Sequence, residues 1–112
     1  MAAAHYGLAN LTAIVDRNGV QNDGFVVDIM RQEPLADKWR AFGWQVQEVD
    51  GHDQRQVVEA LQRTRSATTC PSVVIAHTVK GKGVSFMENS AAWHGKAPNA
   101  EERARALAEI GE

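Results

Sequence analysis

The stretch Leu11–Gly24 reads LTAIVDRNGVQNDG. Its β-branched, apolar start, Leu11 to Val15, stops at Asp16-Arg17-Asn18-Gly19, and a second polar turn, Asn22-Asp23-Gly24, follows almost at once. A short run of this kind, bounded by Asn, Asp and Gly, predicts a strand that ends in a loop. In an open α/β sheet, ligands bind just beyond the carboxyl ends of the strands. This loop offers an aspartate, an asparagine amide and free backbone at such an end. Taken alone, it is most simply a tight turn in which Asp and Asn bond their own backbone. The functional alternative gives the Asn18 side-chain oxygen and the Val20 main-chain carbonyl to a divalent cation. Hard oxygens are what Mg²⁺ selects, in an octahedral shell often shared with phosphate and water.

Working outward, MAAAHYGLAN before the strand reads as the last turn of a helix closed by Gly7. After the loop, Asp28–Glu33 predicts a short helical turn before Pro34. Leu35, Trp39 and Phe42 then fall on one face of a helix that Gly43 ends. Both aromatic rings are expected to pack that helix on a sheet. Trp44–Val49 alternates as a strand does and stops at Asp50-Gly51-His52. Asp53 can N-cap a helix from Gln54 to about Arg65, with Val57, Val58, Leu61 and Thr64 as its inward stripe. Ser72–Val79 is nearly all apolar, as in a buried parallel strand. A flexible basic loop, Lys80-Gly81-Lys82-Gly83, follows. Asn99 can cap a last helix, Ala100–Ile110, with Leu107 and Ile110 inward. Strands alternating with helices predict an α/β fold with a parallel sheet and right-handed crossovers. Three such strands expose two edges and bury little, so they make a poor independent domain.

The 112 residues have an ordinary globular composition and form one domain at most. A net charge of −2 gives no electrostatic reason to expect nucleic acid or an anionic membrane. No apolar run approaches the roughly 18 residues of a membrane span, and the first residues lack a secretory pattern. The single cysteine, Cys70, excludes an internal disulfide and suits a reducing, cytoplasmic setting. Zinc spacing, a P-loop, a dinucleotide fingerprint and a nucleophile elbow are all absent from the sequence. Lys80 and Lys82 between glycines could meet an anion, or be ordinary surface lysines. His94, in Trp93-His94-Gly95, could move protons near neutral pH, or be a plain loop histidine. His77 in the apolar strand is expected to be a core or rim residue rather than a metal ligand.

Four ordered segments carry more than any one motif: NLTAIVDRNGVQNDG (10–24), ADKWRAFGWQVQEVDGHD (36–53), PSVVIAHTVKGKGVSFMEN (71–89) and WHGKAPN (93–99). Together they resemble the transketolase family, in the C-terminal portion of its thiamine-diphosphate-binding N-terminal domain or subunit. The resemblance runs from about Ala3 to Ala106. It implies that residues 1–112 are a partial, three-layer parallel-sheet thiamine-diphosphate-binding fold. It implies further that Asn18 and Val20 ligate Mg²⁺ and that Asp16 shapes their loop. Lys80 and Lys82 would flank the cofactor, and His94 would be a catalytic histidine near the diphosphate. Members of the family pass a two-carbon ketol unit between sugar phosphates, as in the pentose phosphate pathway, with thiamine diphosphate carrying the hard chemistry. The related deoxyxylulose-phosphate synthases and 2-oxoacid dehydrogenase components are less similar around Trp93–Pro98. The chain departs from the family in lacking the upstream Gly-Asp-Gly, whose aspartate is a metal ligand, and the pyrimidine-binding domain with its activating glutamate. The implied activity therefore needs an oligomer with complementary transketolase segments, and the isolated chain is expected to be inactive. The alternative is a non-catalytic remnant or interaction module of the same fold.

Overall fold

The apolar run after Pro71 forms β5, Ser72–His77, in a computed structural model that describes residues 1–111. β5 is the middle of a three-stranded parallel sheet, between β1 (Thr12–Arg17) and β4 (Gln45–Asp50). The register runs unbroken from Thr12, Ser72 and Gln45 to Arg17, His77 and Asp50. Val73, Val74 and Ile75 are buried on both faces of the sheet, which is why this strand does not alternate. β1 continues through Asp16 and Arg17, two residues past its apolar run, because backbone pairing to Ala76 and His77 needs no apolar side chain. This corrects the reading of those two residues as turn. β5 in turn stops at His77 rather than Val79.

Two compact units are present. The first, Met1–Arg17 with Gln32–Thr78, holds the sheet, α1 (Ala2–His5), α3 (Leu35–Ala41) and α4 (Gln54–Thr64). Asp53 caps α4 as expected, accepting from the backbone N–H groups of Arg55 and Gln56 at 2.9 and 3.2 Å. Ala60 of α4 packs with Val49 and Val74 as the core, and Val57, Leu61 and Ala76 lie against it. The small Ala60 side chain brings the helix close enough for Gln47 to donate to its carbonyl at 3.1 Å. Val58, expected in the stripe, is 52% exposed, because it sits a hundred degrees round the helix from Val57. On α3, Trp39 meets Trp44 edge-on at 4.7 Å between centroids, whereas Phe42 is half exposed. Gly51 follows β4 where a Cβ would stand 2.4 Å from Thr78 Cγ2, so the close approach of the two strand ends requires a glycine.

The second unit, Asn18–Arg31 with Val79 onward, contains a hairpin of β2 (Val20–Gln21) and β3 (Gly24–Phe25). It also holds α2 (Val26–Ile29), a 3₁₀ turn (Ala91–Trp93) and α5 (Ala100–Ile110). α2 ends at Ile29, so the helical turn lies upstream of the expected Asp28–Glu33. α5 has the expected bounds and cap, but Ile110 is 52% exposed rather than inward. Among the described residues no helix is long and apolar enough to cross a membrane.

Candidate functional site

The loop after β1 folds on itself. The Asn18 Oδ1 accepts the N–H of Val20 at 2.9 Å, as Asn does in tight turns. Val26 N–H donates to the Gly19 carbonyl at 3.0 Å, one step outside the pairs Val20–Phe25 and Gln21–Gly24. Antiparallel ladders alternate bonded and non-bonded pairs. With Gly19–Val26 bonded, Val20 belongs to a pair whose polar groups turn away from the hairpin. Its carbonyl and its N–H therefore share one edge, the edge on which the Asn18 amide oxygen lies. The Gln21 Oε1 is buried and meets no hydrogen-bond partner among the described residues.

This geometry fits part of the shell of a hard cation. Two neutral oxygens of the kind Mg²⁺ prefers face one edge of the hairpin, but they bring no negative charge. Among the described residues no three His, Cys, Asp or Glu side chains form a group that could hold a metal ion.

The Lys80–Asn89 segment is a second loop, closed by Asn89 N–H on the Lys80 carbonyl at 2.9 Å and by Met87 N–H on Val84 at 2.9 Å. Gly81 has φ 73°, and a Cβ there would stand 2.7 Å from the Met87 carbonyl oxygen. The Glu88 carboxylate accepts from Gly83 N–H at 3.0 Å and lies 3.6 Å from Lys82 Nζ. Expected to be flexible, the loop is instead bonded within itself, with Lys82 already balanced by a carboxylate and Lys80 half-buried.

His94 lies in a third loop. Its N–H donates to Ala91 at 2.9 Å, closing the 3₁₀ turn, and its side chain is exposed. The neighbouring Trp93 donates its indole N–H to the Phe86 carbonyl at 3.0 Å. Lys96 Nζ sits 4.0 Å over the Trp93 ring and 2.8 Å from Glu102 Oε1. Glu102 also accepts from Asn99 N–H at 2.8 Å, while Asn99 Oδ1 accepts from Glu102 N–H at 2.9 Å. Lys96 first, then the Asn99 backbone N–H, hold the Glu102 carboxyl below the usual range.

Asp16 belongs to the sheet unit, where its carboxylate accepts from the Thr78 hydroxyl. On the same carboxyl edge, Arg17 pairs with Glu33 and His77 Nε2 lies 3.1 Å from Glu48. His77 is thus a rim residue. Of the residues singled out in the sequence, Asn18 and Val20 are bonded to each other, Lys80 and Lys82 share the second loop, and His94 occupies the third. The sequence reading missed the partners Glu88, Trp93, Lys96 and Glu102. The Asn99-x-x-Glu102 spacing of a capping box was a usable signal for the last of these; the others stood in the segments 71–89 and 93–99 with no spacing that marks them as partners.

Residues 1–111 match the family described as transketolase, thiamine diphosphate binding domain. The chain is 40% identical, over all 112 residues, to an apulose-4-phosphate transketolase subunit from Phocaeicola vulgatus and covers 40% of that protein. It is 42% identical over 110 residues, 98% of the chain, to the 6-deoxy-6-sulfo-D-fructose transketolase subunit SqwG of Clostridium sp. strain MSTE9, again covering 40% of it. The crystal structure of transketolase from Campylobacter jejuni superposes with a TM-score of 0.87 at 29% identity, over 98% of this chain and 17% of that one. The chain therefore spans less than half the length of these relatives.

Proposed function

The chain belongs to the transketolase family, in its thiamine diphosphate binding domain, and from that premise we propose that it is one component of a transketolase-type transferase completed by further transketolase segments. The observation that carries this is the edge on which the Asn18 amide oxygen and the Val20 carbonyl stand together. These two oxygens would hold one side of a Mg²⁺ ion bound to the cofactor's diphosphate. Lys80 would neutralise diphosphate charge, with Lys82 tempered by Glu88. Asp16, tied to Thr78, would brace the strand end from which the metal loop departs. His94, exposed in its loop, would hold or move a proton at the sugar. When bound, the cofactor supplies the covalent chemistry of breaking and making the carbon–carbon bond.

Two neutral oxygens do not offset the charge of Mg²⁺, so in this reading a carboxylate ligand is supplied by transketolase segments beyond residues 1–112, as is the pyrimidine-binding domain. That two relatives are named as transketolase subunits supports such a division. Sugar phosphates are the substrates in this reading, and the cytoplasm is the compartment, which the free thiol of Cys70 suits. A second reading, a non-catalytic module of the same fold, is favoured by the neutrality of the donor pair. Calorimetric titration of thiamine diphosphate with Mg²⁺ into the assembled complex separates the two. The transferase reading expects saturable binding that Asn18→Ala weakens by about tenfold or more. Equal binding by that variant would sink the assignment of the metal edge, and an assembled wild-type complex without binding would establish the second reading.

A further inference from the structure

His94 is flanked by Gly95, which has φ 77° and no atom within 4 Å of where a Cβ would stand. An exposed side chain next to an unpacked glycine would ordinarily sample many backbone states. Here both flanks are fastened. Upstream, the Trp93 indole N–H is bonded to the Phe86 carbonyl at 3.0 Å, the two rings meet at 5.5 Å, and the Arg105 guanidinium covers Phe86 at 4.6 Å. Downstream, Lys96 reaches back over the Trp93 ring at 4.0 Å. Its ammonium is fixed there by Glu102 at 2.8 Å, and Glu102 is itself locked in the capping box of α5.

We propose that Lys96 is a positioning residue, a brace that arches over His94–Gly95 from Trp93 to Glu102 and sets how the His94 imidazole is presented. This rests on the role given above to His94, and it gives a role to Lys96, which the segment 93–99 contained without one. An exposed ion pair contributes little to global stability. This one closes a ring that spans Gly95, at φ 77° and unpacked, so its effect falls on loop order. Swinging the backbone at 94–95 requires breaking the cation–π contact, the ion pair or the cap.

The test compares the full chain with Lys96→Met and Lys96→Arg. Backbone ¹⁵N order parameters at His94 and Gly95 are expected to fall from the rigid range near 0.85 to below about 0.6 in Lys96→Met. Lys96→Arg restores them, because a guanidinium also stacks on indole and pairs with carboxylate. Amide exchange along α5 stays unchanged. Unaltered order at 94–95 in Lys96→Met would overturn the brace, and so would joint loosening of α5, which would make Lys96 a helix-cap residue only. In the assembled enzyme, Lys96→Met lowers kcat/KM several-fold, Lys96→Arg recovers it, and Lys96→Met adds nothing to His94→Ala. Full activity of His94→Ala would remove the role of His94 while leaving the brace measurable in the order parameters.

Discussion

Gly81→Ala probes the loop that carries both lysines. Gly81 has φ 73°, and an added Cβ would meet the Met87 carbonyl oxygen at 2.7 Å, its carbonyl carbon at 2.8 Å and its Cβ at 2.9 Å. Two costs combine. A residue with a Cβ in the left-handed region loses about 1–2 kcal/mol. Forcing a methyl against backbone that cannot turn aside costs about 1–3 kcal/mol more. The sum, roughly 2–5 kcal/mol, corresponds to a factor on the order of 30 to 5,000 in the opening equilibrium of the loop. Native-state hydrogen exchange reads this directly at the Met87 and Asn89 amides, whose bonds to Val84 and Lys80 close the loop. Gly95→Ala is the control. Its φ is 77° but nothing stands within 4 Å of the new methyl, so it bears only the first cost. Gly81→Ala is expected to speed exchange in its loop well beyond what Gly95→Ala does in its own. Equal acceleration by the two would mean that the Met87 backbone does not confine Gly81, and the picture of a closed, self-bonded loop would fail.

Asp53→Ala removes the acceptor of two backbone N–H groups at the start of α4. It should lower stability by about 1 kcal/mol, seen as a lower urea midpoint at constant slope. The Glu33 carboxyl is held below its ordinary value of 4.5 by the Leu35 backbone N–H first and the Arg17 side chain next. Its contribution is therefore complete above the unfolded value and lost as pH falls through the lower folded value. Glu33→Gln should flatten that part of the acid limb in a pH series of unfolding midpoints and leave its shape near neutrality unchanged; an unaltered acid limb would remove Glu33 from the account.

Local pattern was enough for the elements. The alternation of Trp44–Val49, the apolar run after Pro71 and the caps Asp53 and Asn99 act over a few residues, so the sequence carries the elements themselves, with strand ends displaced by one or two residues. The same locality put Asn18, Lys80, Lys82 and His94 in loops, whereas Val20 opens strand β2. Which strand lies in the middle is a different kind of fact. The order β1-β5-β4 pairs residues some sixty and thirty positions apart, and only those ladders extend β1 through Asp16 and Arg17. Side chains also took their final surroundings from distant neighbours: Ala60, not Val58, met the sheet. In the loops, the Lys82–Glu88 and Lys96–Trp93 contacts depend on where a chain reversal returns the backbone. Hydrophobic period and capping chemistry are written residue by residue and survive in a linear reading. Register, loop closure and the partner of each charge arise when separate segments share one volume, and for those the tertiary structure alone decides.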